Sequence, residues 1–220
     1  MNNSLLGILT KVRFDALPCV STLQKDLQLV EQTYGKLDQV GVATFCDGHT
    51  QCIETQGNLK ALSGFNTPAH LAIALIEQKI PDSLQIQDSP ELSSNNDLAL
   101  VYSGQLENAK DICLNVLKLD LPIQRDSEIV LRLIHHYFEF GMSLSEALRL
   151  TLTYLEGYFS LIVLDARHQE LVAARQGYPL TIGIDQETLY IGSNTRILNV
   201  VSSPMLQISD GETMMLLSLC

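Results

Sequence analysis

Cys46, His49 and Cys52 are metal-ligating residue types gathered around one turn, spaced Cys-x2-His-x2-Cys. A zinc site needs four such ligands, as a rule two close pairs. No second Cys/His pair lies nearby, so the spacing fits opposed side chains on a hairpin, and neither metal nor cofactor is expected. His135 and His136 are consecutive on a predicted helix and project roughly 100° apart. They cannot share an ion easily, and one should face solvent while the other lines the core edge. Cys113 falls on an apolar helix position and reads as core. Gly183, Gly192 and Gly211 are too far apart for a phosphate loop. Asp126, directly before Ser127-Glu128-Ile129 and an apolar run, has the place of a helix N-cap.

The elements that must position these residues follow from periodicity. Ser4–Val12 alternates as a strand. Val20, Leu23, Leu27 and Val30 recur at helical spacing up to Gly35. Val40–Cys46 and Gln51–Glu54 flank Asp47-Gly48, a hairpin signal. Gly57–Leu62 starts a short helix. Residues 66–80 suit either a helix opened by Thr67-Pro68 or a buried strand. Residues 81–96 read as a loop, and Leu98–Tyr102 as a strand ending at Ser103-Gly104.

Helices are predicted over Gln105–Leu117, over Asp126–Phe140, and from a Ser143/Glu146 capping box to Leu155. Six strands complete the chain: Ser160–Leu164, Glu170–Ala174, Leu180–Ile184, Thr188–Ile191, Leu198–Val201 and Glu212–Ser218. Tyr158, Phe159, Ile162, Val163 and Leu164 make a nearly unbroken apolar run, the mark of a strand covered on both faces. Strands, adjacent helices, then strands predict antiparallel sheets covered by helices, in one domain spanning 1–220.

The 220 residues carry a formal charge of −11 and are 46 % hydrophobic. Phosphate binding needs basic clusters, so nucleic acid and anionic membrane are excluded as main partners. No run approaches the ~20 apolar residues of a membrane crossing. The opening residues lack a signal-peptide pattern, and the five cysteines have no framework spacing. The expectation is a cytoplasmic protein. A mean hydropathy of +0.13 is consistent with apolar surface covered by a protein partner or by a second copy.

Several stretches together resemble a known family. Residues 6–9, Leu-Gly-Ile-Leu, are similar to its opening Cys-Gly-Ile-Val. Gly57-Asn58-Leu59 resembles Gly-Lys-Val. Val101-Tyr102-Ser103-Gly104 with Glu107-Asn108 resembles Val-His-Asn-Gly-Ile-Ile-Glu-Asn, and Arg125 through Ile129 resembles Thr-Asp-Thr-Glu-Val. The stretch 155–183 resembles Leu-x-Gly-Ala-Tyr, Leu-x-Ala-Ala-Arg and Gly-x-Pro-Leu-x-Ile-Gly. Gly192-Ser193-Asn194 and Asp210-Gly211-Glu212 resemble Ala-Ser-Asp and Asp-Gly-Glu. The family is the glutamine-hydrolysing domain of class II amidotransferases, nearest to that of glucosamine-fructose-6-phosphate aminotransferase.

The resemblance implies an α+β fold, a four-layer αββα sandwich of two antiparallel sheets (the N-terminal-nucleophile hydrolase architecture). It also implies a mechanism in which an N-terminal Cys attacks and its own α-amine is the base. Here residue 2 is Asn2, and the corresponding position is Leu6, preceded by five residues. The Arg that would clamp the glutamine carboxylate falls at Leu75. The oxyanion-hole Asn-Gly is Ser103-Gly104, and the residue that would hold the substrate ammonium is Asp126. The family's following sugar-converting domain is absent from these residues.

The vestigial positions are thus Leu6, Leu75, Ser103, Gly104 and Asp126, and no catalytic residue is assigned. The first expectation is a non-catalytic interaction or scaffold subunit in a larger protein assembly. A residual glutaminase or amide hydrolase using Ser4 or Cys19, and an amino-acid sensor using Asp126 and Gly104, are the alternatives. Pairing with a second copy stays open.

Overall fold

The structure, a computed structural model, describes residues 3–10, 19–64, 69–78, 89–118, 125–185 and 188–217. In chain order the elements are β1 (Asn3–Thr10), α1 (Cys19–Tyr34), β2 (Gln39–Cys46), β3 (His49–Thr55), a 3-10 turn (Leu59–Gly64), β4 (Leu71–Glu77), β5 (Glu91–Leu92) and β6 (Leu98–Leu106). There follow α2 (Ala109–Asp111), running into a π turn (Ile112–Val116), then α3 (Asp126–Glu139), α4 (Leu144–Leu152), β7 (Gly157–Asp165) and β8 (Glu170–Gln176). The last are β9 (Thr181–Asp185), β10 (Thr188–Gly192), α5 (Thr195–Val201), β11 (Ser203–Gln207) and β12 (Thr213–Leu217).

The strands form two antiparallel sheets, β11-β9-β10-β1-β4-β2-β3 and β12-β8-β7-β6-β5. Their faces follow from which residues meet. A Cβ on Gly7 would lie 3.4 Å from Ile162 and 3.7 Å from Leu171, so that face of β1 meets the second sheet. A Cβ on Gly192 would meet Leu198 of α5 at 2.9 Å, so the other face lies under α1 and α5. In the second sheet, Ala99, Val101, Ile162 and Leu164 join the core between the sheets. Their neighbours Leu98, Leu100, Tyr102, Phe159, Leu161 and Val163 pack under α3 and α4. The result is four layers, helix, sheet, sheet, helix, the expected αββα architecture. The central strands must satisfy apolar neighbours on both sides, and every residue of β4 is buried.

Local signals account for most boundaries. Val20, Leu23, Leu27 and Val30 are the buried stripe of α1, which stops at Gly35 with φ 94°. Asp47 and Gly48, at φ 51° and 79°, make the tight turn between β2 and β3. The Ser143 capping box is present: the Glu146 amide donates to Ser143 Oγ at 3.3 Å, and the Ser143 amide to Glu146 Oε2 at 3.0 Å.

One reading left open is settled and three expectations are corrected. Residues 71–77 of the ambiguous stretch form a strand, because burial on both faces decides what periodicity could not; Thr67-Pro68 lie outside the described residues. Leu198–Val201 is helix, not strand. Asn194 accepts the Arg196 amide at 3.0 Å as its cap, and Ile197, Leu198 and Val201 share its buried face. Strand β6 does not end at Ser103-Gly104 but runs through both to Leu106. Glu91–Leu92, expected as loop, pairs with β6. Among the described residues no helix is long and apolar enough to cross a membrane.

Candidate functional site

The register of β1 places Leu6 opposite Ala74 and Gly192, while Leu75 lies opposite Leu5 and Gly41. Directly opposed residues in an antiparallel pair project to the same face. Leu6 therefore points under α1 and α5, and Leu75 points toward the second sheet. Both are buried, at 0 % and 2 % exposure. The structure does not bring these two positions together.

It does bring Ser103, Gly104 and Asp126 to one end of β6. Ser103 is buried on the inter-sheet face, opposite Ser160. The Ser160 Oγ is buried with no hydrogen-bond partner among the described residues. At Gly104, opposite Phe159, a Cβ would sit 2.3 Å from the Tyr158 carbonyl oxygen, so the cross-strand backbones meet closely there.

Asp126 is not the helix cap that its sequence position predicts. Arg125, extended at φ −128° and ψ 136°, holds that place without a side-chain cap bond. The Asp126 carboxylate instead accepts the Leu106 amide at 2.7 Å, pinning the first turn of α3 to the end of β6. A sheet-edge donor outcompetes the helix's own amides for this acceptor. The Arg125 guanidinium pairs with Glu91 at 3.1 Å. Beside Asp126, the Tyr102 hydroxyl is buried without a partner among the described residues, and its ring stacks on Phe159 at 6.0 Å. Burial first, and the neighbouring Asp126 charge second, push that hydroxyl's pKa far up.

Each candidate nucleophile has a neighbour of its own. Ser4 Oγ accepts from the Asn194 side-chain amide at 3.1 Å, an amide and not a base. Cys19 lies 4.0 Å from Thr44 Oγ1, and burial pushes its thiol up to about 12, which keeps it protonated at neutral pH. Burial also raises Cys113. Cys46 stands opposite His49, whereas Cys52 pairs with Ala43 further along the hairpin. Among the described residues no three His, Cys, Asp or Glu side chains gather as a metal set. His135 is turned in toward Asn95 Oδ1 at 3.1 Å, and the exposed His136 packs edge-on against Tyr137 and Phe140. A hollow of about 460 Å³ beside α3 contains Arg125 and Arg132, but both are paired, with Glu91 and Glu128.

Sequence reasoning missed what several of the family-like letters do. Arg175 donates to Asp210 Oδ1 from Nε at 3.1 Å and from a terminal nitrogen at 3.0 Å. The same oxygen accepts the Gly177 amide at 2.7 Å. That amide is the main cause holding the Asp210 pKa below the usual carboxylate range. Asn108 donates to the Tyr154 carbonyl at 2.8 Å and accepts the Glu156 amide at 3.1 Å. Ser193 Oγ accepts the Leu5 amide at 2.9 Å, and the Ser193 amide returns to Leu5 O at 3.1 Å. These matches are staples of the scaffold, and only their distance in sequence hid the pairing.

This architecture, two antiparallel sheets between helix layers, is a fold shared with solved glutamine amidotransferases. Residues 77–200 match the glutamine amidotransferase domain family, and the chain belongs to that family. It is 25 % identical over 215 residues to the glutamine–fructose-6-phosphate aminotransferase of Bartonella quintana, covering 94 % of this chain and 34 % of that protein. To the same-named protein of Pseudomonas putida it is 31 % identical over 122 residues, covering 54 % and 20 %. The chain thus spans about a third or less of the length of these curated relatives.

Among solved structures it is similar to the glutamine phosphoribosylpyrophosphate amidotransferase of B. subtilis. The TM-score is 0.72 at 19 % identity, covering 96 % of this chain and 46 % of that one. It is also similar to a glutamine aminotransferase class-II domain protein of Silicibacter pomeroyi. There the TM-score is 0.57 at 14 % identity, with coverage of 96 % and 94 %. At these identities the likeness concerns the fold.

Proposed function

We propose that this chain is a catalytically inactive domain of the glutamine amidotransferase type, acting as an interaction or scaffold subunit in a larger protein assembly. The observation that carries the reading is Leu6: at the position resembling the family's nucleophile stands an apolar side chain, fully buried inside β1. A leucine has neither lone pair nor proton to exchange with an amide. Leu75 offers no guanidinium for a carboxylate, and no Arg occurs between Arg13 and Arg125. With a charge of −11 the partner is a protein and not a nucleic acid.

The purified chain, given millimolar glutamine, should release no ammonia above the buffer rate, and affinity purification from its native cell should recover a protein in stoichiometric amount. Turnover that is abolished by Ser4→Ala, or recovery of the chain alone, would overturn the proposal.

A second reading has one observation behind it. Tyr102 holds a buried hydroxyl next to Asp126, with no partner among the described residues. A bound amino acid would bring an ammonium to that carboxylate and an acceptor to that hydroxyl. Thermal unfolding with glutamine or glutamate tests it, and an unchanged midpoint at millimolar concentration removes it.

A further inference from the structure

The hollow of about 460 Å³ between α3 and β5 has the size of a small-molecule site, and its guanidiniums are matched by carboxylates. Glu91 faces Arg125 with both oxygens, at 3.1 Å from Nε and 3.4 Å from a terminal nitrogen, and also accepts the Ser127 hydroxyl at 3.0 Å. One oxygen of Glu128 accepts from Arg132 twice, from Nε at 3.0 Å and from a terminal nitrogen at 2.7 Å. The rim is fixed as well. Ser93 Oγ accepts the Asp97 and Leu98 amides at 3.1 and 3.0 Å and donates to Asn95 Oδ1 at 2.9 Å, the atom that His135 Nε2 also meets at 3.1 Å. Side chains held in this way are in place before a ligand arrives, which lowers the ordering cost of binding.

The pairing decides the charge of the ligand. An anion would have to compete for guanidiniums that carboxylates already hold, and a cation for carboxylates that guanidiniums already hold. A neutral ligand displaces neither. Each guanidinium commits Nε and one terminal nitrogen to its carboxylate. Its other terminal nitrogen has no partner among the described residues, and neither has the second oxygen of Glu128. Donors and an acceptor thus remain side by side in the lining. A hydroxyl accepts from one and donates to the other through a single oxygen, and vicinal hydroxyls repeat the pattern. Leu92, Leu117 and the buried Leu131 add apolar surface to the same hollow, which suits the C–H face of a sugar ring.

We propose that this hollow binds a neutral saccharide, its hydroxyls held by the Arg132–Glu128 and Arg125–Glu91 pairs and its C–H face by the leucines. Leu6, Leu75, Ser103, Gly104 and Asp126 do not line it. The proposal therefore stands whether or not the chain hydrolyses glutamine or binds another protein.

Titration calorimetry and saturation-transfer difference NMR with methyl α-glucoside, methyl α-mannoside, maltose and cellobiose test it. At least one should bind saturably, with a dissociation constant of about 0.1–10 mM. Its affinity should stay within about twofold as sodium chloride rises from about 50 to about 500 mM, since the ligand carries no charge to screen. Arg132→Ala should weaken binding about fivefold or more. Arg132→Lys, which keeps the charge and loses the fork, should weaken it too. The Arg132 side chain is 48 % exposed, and circular dichroism should show both variants folded. Arg149→Ala, on α4 and outside the hollow, should bind as the wild type does. No saturable binding of any of the four saccharides up to about 50 mM overturns the proposal, as does binding that Arg132→Ala leaves unchanged. Tighter binding of inorganic phosphate than of every saccharide overturns it as well.

Discussion

The Asp126 carboxylate and the Leu106 amide, 20 residues apart in sequence, are joined by a 2.7 Å hydrogen bond that ties α3 to the end of β6. The position where the family-like wording implies a substrate contact is thus engaged within the chain itself. Asp126→Ala leaves the Leu106 donor without its acceptor and should lower stability by about 1.5–3 kcal/mol. Asp126→Asn keeps an acceptor oxygen and should lose less. Urea midpoints of the two variants check the order, and equal midpoints would contradict the bond's role.

Gly104 is demanded by backbone, not by chemistry. An added Cβ would lie 2.3 Å from Tyr158 O and 2.6 Å from Phe159 Cα, neither of which is a flexible side-chain end. Gly104→Ala should cost about 3 kcal/mol. Gly7→Ala is the comparison: its Cβ would meet Ile162 Cδ1 at 3.4 Å, near an ordinary contact. That loss should stay below about 1.5 kcal/mol by the same packing argument. Denaturant unfolding of both variants separates the cases.

Leu6 should behave as a core residue. Leu6→Ala should destabilise by about 2–5 kcal/mol, the cost of a cavity in a layered core. Leu6→Cys places a thiol under α1 and α5, on the opposite face from Leu75, and should hydrolyse no glutamine. Ammonia release by Leu6→Cys in a standard coupled assay would refute this placement.

Two groups, Asp26 and His168, should each make a contribution to stability that falls with rising pH, each in its own window. Burial pushes the Asp26 carboxyl from 3.8 up to about 6, against the opposing effects of the Tyr190 hydroxyl and Lys25; Asp185 adds to the rise. The folded chain holds that proton more tightly than the unfolded one, so the stability it confers is lost between pH 3.8 and about 6. The His168 pKa lies above 6.5, raised chiefly by the hydrogen bond to Asp165 and then by that carboxylate's charge. Its contribution is complete below 6.5 and disappears as pH climbs through the raised value. Asp26→Asn should flatten the lower window and His168→Gln the upper one. Urea midpoints measured across pH 4–9 would show both, and unchanged slopes in the variants would reject the assignment.

Much of the fold was legible because its signals are local. A capping box at Ser143, an Asp-Gly turn at residues 47–48 and a three-and-four apolar stripe in α1 each lie within a few residues of what they govern. Residues 71–77 and 195–201 resisted for the same reason. A short apolar run is compatible with strand or helix until its neighbours are known. In β4 they are the second sheet on one face and α1 on the other; in α5 an Asn194 cap and one buried stripe decide the matter. The candidate site was legible only as letters, since Asp126 looks like a cap until the Leu106 amide arrives from another element.

Periodicity by itself predicted antiparallel sheet covered by helices, the family-like wording implied the two-sheet plan, and residue type alone put an apolar side chain at Leu6. Only the tertiary structure decided that Leu6 and Leu75 face opposite layers, and that Arg175 pairs with Asp210. Strand register sets the facing of every residue, and a one-residue change in it would reverse that facing. Register is decided by the packing of whole layers, which no single stretch of sequence contains.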